Sequence, residues 1–135
     1  MTTILIVDDT ESSRDLLSKL LRKQGYQTVC ASDGLEALAA VEEHTPSLIL
    51  LDVMMPVMDG VEFLRTLRQD PQRVALPVIA VTACSDNATQ QRMSSLGVFD
   101  YMVKSRFSIP VLLNRVRDAL NQGCGAESSA IGLPS

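Results

Sequence analysis

Apolar residues gather in short unbroken runs: Ile4 to Val7, Leu48 to Leu51, Val78 to Val81 and Tyr101 to Val103, with a weaker run from Thr28 to Ala31. Runs of this length, rich in β-branched residues and apolar at consecutive positions, mark strands buried on both faces, as in a parallel sheet covered by helices. Between them the apolar spacing lengthens to that of a helix. Glu11 to Gln24 carries Leu16, Leu17, Leu20 and Leu21 on one stripe, and Gly25 is placed to end it in a left-handed turn. A second helix runs from about Gly34 to Glu43 and stops before Pro46. A third begins near Asp59 and turns Val61, Phe63, Leu64 and Leu67 inward. The fourth, from about Asn87 to Leu96 with Gly97 behind it, is polar, and only Ala88, Met93 and Leu96 form a thin apolar stripe. The fifth follows Ser108 as N-cap, has Pro110 in its first turn, and buries Leu112, Leu113, Val116 and Leu120.

Strand then helix, repeated five times, predicts right-handed crossovers and an α/β fold: a doubly wound five-stranded parallel sheet, (βα)5, with strand order 2-1-3-4-5. The 135 residues suit one domain, set at residues 1–122, while the Gly-, Ala- and Ser-rich stretch 123–135 is expected to be a flexible C-terminal tail or the start of a linker. Hydrophobic residues make up 46% and there is no Trp, so the core is expected to be aliphatic.

Charge narrows the function. The net charge of −4 leaves no excess of Lys and Arg to neutralise phosphates, so direct nucleic-acid binding by this domain is not expected. Cys30, Cys84 and Cys124 form no C-x-x-C, which favours reduced thiols over disulfides or zinc. Asp8 and Asp9 arrive too early for a signal-peptide apolar region, and no apolar stretch reaches the length of a membrane span. A cytoplasmic protein without membrane contact is expected.

The residues that follow the strands carry the chemistry. Asp8 and Asp9 end the first strand, Asp52 the third, Thr82 the fourth and Lys104 the fifth. In an open parallel sheet these carboxyl ends share one edge, so three carboxylates, a hydroxyl and an ammonium converge there. Crowded carboxylates repel unless a cation joins them, and an all-oxygen donor set suits Mg²⁺. Phosphoryl transfer needs such neutralisation and an in-line nucleophile, which a carboxylate can be, giving an acyl phosphate. Asp52 stands between Leu51 and Val53, where a carboxylate needs a partner. Taken singly, each residue has a plainer reading: Asp9 as a helix cap, Thr82 as a structural hydroxyl, Lys104 as a surface charge. Met54, Met55 and Met58 are read as packing residues and His44 as a surface residue.

Four stretches together resemble the receiver domains of two-component response regulators: Ile4-Leu5-Ile6-Val7-Asp8-Asp9, Asp52-Val53-Met54-Met55-Pro56-Val57-Met58-Asp59-Gly60, Val81-Thr82-Ala83 and Tyr101-Met102-Val103-Lys104. The resemblance spans Thr3 to about Leu120. It implies that Asp52 is the phosphoacceptor, that Asp9, Asp52 and the Met54 carbonyl bind Mg²⁺, and that Asp8 acts largely through water. It implies that Lys104 pairs with the phosphoryl group, and that Thr82 moves toward it and lets Tyr101 turn inward. The implied donor is a phosphohistidine on a sensor histidine kinase or a phosphotransfer protein. The implied output surface is the fourth helix, fifth strand and fifth helix, available for a partner or a homodimer. Ser105 departs from the family, which usually has Pro after the lysine. A trans Lys104–Ser105 peptide is expected, since cis costs about 2.5–4 kcal/mol without proline. Two other functions fit the same acids: a Mg²⁺-dependent phosphohydrolase with an aspartyl-phosphate intermediate, and a phosphorylation-independent scaffold. The phosphohydrolase lacks its usual second Asp two residues past the nucleophile, where Met54 stands.

Overall fold

A computed structural model describes residues 2–52, 60–73, 75–82, 87–103 and 108–130, with side chains described as far as Asn121. Each apolar run is a strand followed by a helix: β1 (Thr3–Val7), α1 (Glu11–Lys23), β2 (Gln27–Ala31), α2 (Gly34–His44), β3 (Leu48–Leu51), α3 (Gly60–Arg68), β4 (Val78–Thr82), α4 (Asn87–Ser95), β5 (Asp100–Val103) and α5 (Ile109–Ala130). The strands form one parallel sheet in the order β2-β1-β3-β4-β5.

The unbroken apolar runs follow from this architecture. Side chains alternate across the sheet, so each face needs its own apolar cover. Leu5, Val7, Ile49, Leu51 and Val78 pack on one face with Ala37 of α2, Phe63 of α3 and Met93 of α4. Ile4, Ile6, Leu48, Leu50 and Ile79 pack on the other with Leu21 of α1 and Leu112 and Val116 of α5.

Helix ends are built from local chemistry. Gly25 (φ +95°) closes α1: its N–H donates to the Arg22 carbonyl at 2.9 Å, and the Tyr26 N–H to Leu21 at 3.2 Å. Gly97 (φ +81°) closes α4 in the same way, with bonds from Gly97 to Ser94 at 3.0 Å and from Val98 to Met93 at 3.3 Å. These left-handed closures satisfy carbonyls that the last helical turn leaves without donors.

Several sequence expectations need adjusting. The buried stripe of α1 is narrower than its leucines suggest: Leu17 and Leu21 are buried, but Leu16 is 55% exposed. Ser18 turns inward instead, its hydroxyl 2.7 Å from that of Thr28. Met93 is the one buried residue of α4, and Ala88 is exposed. The α5 backbone stays helical to Ala130, past the shift in composition at Gly123. No helix among the described residues is long and apolar enough to cross a membrane.

Candidate functional site

The β-ladder itself delivers the acids to one place. Val7 and Leu51 are paired across β1 and β3, and Asp8 and Asp52 are the next residue of each strand. Their main chains stay in the ladder: the Asp52 N–H donates to the Val7 carbonyl at 2.8 Å, and the Asp8 N–H to the Ala31 carbonyl at 3.1 Å. Both residues are consequently held inside the edge, with Asp8 2% and Asp52 6% exposed. Asp9, one residue further on, is exposed. One carboxylate oxygen from each of Asp8, Asp9 and Asp52 lies within 4.8 Å of the others.

The turn that follows β1 is fixed by its own side chains. Asp8 Oδ1 accepts from the Thr10 N–H at 2.9 Å, the side chain closing a turn on the backbone two residues ahead. Thr10, and not Asp9, is the N-cap residue of α1, which removes the plain reading of Asp9 as a helix cap. Arg14, in the first turns of α1, sends Nη1 back to the Asp8 carbonyl at 2.7 Å. Side chains on a helix lean toward its N-terminus, so a long residue in an early turn can reach the loop it grew from. That contact was not anticipated from sequence. The only cue is an arginine near the start of a helix that follows two aspartates.

The other predicted residues divide between the described chain and the rest. Thr82, the last residue of β4, is fully buried and pairs in register with Val103. It stands two residues past Ala80, whose partner is Leu51. Tyr101 pairs with Ala80 and packs, half-buried, against the cluster that contains Met93 of α4. The residues 53–59, 83–86 and 104–107 lie outside the described chain, and with them Met54, Met55, Pro56, Met58, Cys84, Lys104 and the Lys104–Ser105 peptide. His44 is exposed, as expected of a surface residue.

Carboxylates at this separation, two of them buried, form a donor set of hard oxygens. A small divalent cation that keeps some of its water fits that set, and Mg²⁺ has this chemistry. No sulfur or imidazole ligand joins the cluster among the described residues, so soft or borderline metals have no advantage there.

Comparison with known proteins agrees with this geometry. The family described as response regulator receiver domain matches residues 4–117. The polar-differentiation response regulator DivK of Brucella anthropi is 34% identical over 118 residues, which cover 87% of this chain and 95% of DivK. The alkaline phosphatase synthesis transcriptional regulatory protein PhoP of Bacillus subtilis is 44% identical over 101 residues, or 75% of this chain and 41% of PhoP. This chain likewise spans 52% of the sensory transduction protein RegX3 of Mycolicibacterium smegmatis, so it corresponds to about half of such longer relatives. Among solved structures, chemotaxis protein CheY4 of Vibrio cholerae has a TM-score of 0.81 at 33% identity, covering 88% of this chain and 98% of that one.

Proposed function

This chain belongs to the response regulator receiver domain family, phosphoacceptor switches rather than conventional enzymes, and from that premise we propose how its residues divide the work. Asp52 is the phosphoacceptor. Its carboxylate attacks the phosphorus of a phosphohistidine, the P–N bond breaks, and the electron pair leaves with the imidazole. The donor is a sensor histidine kinase or a phosphotransfer protein. Asp9, Asp52 and the Met54 carbonyl would hold Mg²⁺, with Asp8 acting largely through water. Bound there, Mg²⁺ neutralises charge on the phosphoryl oxygens during transfer. The Lys104 ammonium and the Thr82 hydroxyl hold the phosphoryl group once it is on Asp52. The observation that carries this reading is the cluster of Asp8, Asp9 and Asp52 within 4.8 Å at the carboxyl edge of β1 and β3.

The output follows from Thr82 and Tyr101. Movement of Thr82 toward the phosphoryl group makes room for Tyr101 to turn inward, and the face formed by α4, β5 and α5 changes shape. The β5–α5 half of that face is braced: Arg115 Nε meets Asp100 Oδ2 at 2.7 Å, and the guanidinium lies 5.0 Å from the centre of the Phe99 ring. The α4 half is held by little burial, so it is the part that yields. A partner or a second copy of the chain binds this face, in the cytoplasm, and residues 123–135 serve as a tail or linker.

Acetyl phosphate with Mg²⁺ is expected to add one phosphate, detected by intact-mass spectrometry. Omitting Mg²⁺ or changing Asp52→Asn abolishes the addition. Equal labelling of the Asn variant would overturn the assignment.

A further inference from the structure

At the end of α3, Arg68 makes four hydrogen bonds among the described residues, all to main-chain carbonyls. Nη1 reaches Arg73 at 2.9 Å and Leu76 at 2.7 Å, in the connection from α3 to β4. Nε reaches Leu96 at 2.9 Å and Nη2 reaches Gly97 at 3.1 Å, both just past the last turn of α4. One planar guanidinium thus fastens two segments that are distant in sequence. Only a rigid fork of donors can do this; a lysine ammonium has the charge without the geometry. The carbonyls it takes include those that a helix C-terminus leaves without donors and with partial negative charge, which suits a cation. Burial pushes the Arg68 pKa down, as expected of a guanidinium drawn partly out of water.

A second hold on α4 lies at the same end. Met93 is its buried residue, while residues 87–92 include none that is buried. The left-handed turn at Gly97 places Arg68 Nε 3.8 Å from where a Cβ would stand, an ordinary contact. Clamp, plug and turn all fall between Met93 and Val98.

We infer that Arg68 is the pivot of α4: it pins the C-terminal end of the helix to the α3–β4 connection, so that switching swings the N-terminal turns about a fixed end. The trigger rests on the proposed phosphorylation of Asp52, but the clamp itself belongs to the resting protein. It gives α3, which packs beside α4 in the same apolar cover, a part in the output. Motion of an anchored helix is directional, whereas an unanchored one shifts as a body or frays.

Amide hydrogen exchange of the full chain, with and without beryllofluoride and Mg²⁺, tests the pivot. Loading is checked separately, by loss of labelling with acetyl phosphate. In the wild type, loading is expected to change exchange in residues 87–92 and to leave Gly97 and Val98 within about two-fold of their resting rates. In resting Arg68→Lys, exchange at Gly97 and Val98 rises by about ten-fold or more, since the bonds that hold their turn lose support. On loading, this variant's changes extend through Val98. Arg68→Ala is expected to do the same, and Arg68→Lys remains the decisive variant if the alanine protein is unfolded. Equal changes at both ends of α4 in the loaded wild type overturn the inference, as does a resting Lys variant with wild-type rates at Gly97 and Val98. If beryllofluoride fails to load, the proposed phosphorylation site is at fault. The resting comparison still decides whether the clamp exists.

Discussion

Asp8 and Asp52 owe their burial to where the ladder ends. Each is the first residue past the paired Val7 and Leu51, with its amide still bonded to a neighbouring strand. Their side chains therefore crowd with Asp9 at that edge. Asp9, being exposed, adds repulsion without adding burial, so removing it relieves the metal-free protein. Asp9→Ala is expected to raise the metal-free melting temperature by about 2–4 °C and to weaken Mg²⁺ binding by about ten-fold or more, the loss of a direct anionic ligand. Calorimetric melting and Mg²⁺ titration measure both, and an unchanged Mg²⁺ affinity contradicts the role given to Asp9. The acids were legible in sequence because a carboxylate just after an apolar run has few places to go. Arg14 and Arg68 were not, since nothing in the spacing of a chain tells which distant carbonyl a guanidinium will meet.

At the scale of elements, the apolar runs told strand from helix, but not how deeply each helix seats. Leu16, Leu17, Leu20 and Leu21 satisfy a helical stripe, yet α1 packs along the line of Leu17 and Leu21 and leaves Leu16 in water. A stripe fixes a face only to within a residue, and the neighbouring elements choose the line. The start of α2 is more strictly encoded. Asp33 Oδ1 accepts from the Glu36 N–H at 2.8 Å, while Glu36 Oε1 accepts from the Ser32 N–H and hydroxyl, both at 2.9 Å. The bond from the Ser32 N–H, then that from its hydroxyl, holds the Glu36 carboxyl below the ordinary carboxylate range. A lowered folded-state pKa stabilises the fold above the unfolded-state value, and the gain is lost as pH falls through the lowered one. Glu36→Gln is therefore expected to be slightly less stable than wild type at neutral pH, with the gap shrinking at an acid pH below the ordinary carboxylate range. Urea unfolding at the two pH values measures the gap, and a gap of the same size in acid contradicts the role of the ionised carboxylate.

The whole molecule is a sheet with two separate apolar covers, one from α2, α3 and α4 and the other from α1 and α5. Among the described residues Phe63 is the largest fully buried side chain and belongs to the first cover, yet the sheet between the covers makes them one cooperative unit. Phe63→Ala is expected to cost about 3–5 kcal/mol and to lower the stability reported by Tyr26, in the second cover, by the same amount. Separate transitions for the two faces would contradict this. Topology was legible from the alternation of elements, because parallel strands need a crossover and a crossover needs a helix. The sheet order also bears on how the protein is made. β1 leaves the ribosome first but acquires its second neighbour only when β3 has emerged, and β3 keeps an open edge until Val78–Thr82 follow. All three aspartates thus leave the tunnel before α3, α4 and α5 do. A nascent chain halted after β3 has emerged, but before β4 has, presents the outer edge of Leu48–Leu51 as an open apolar edge beside a knot of negative charge, a species suited to shielding by chaperones that attend emerging polypeptides.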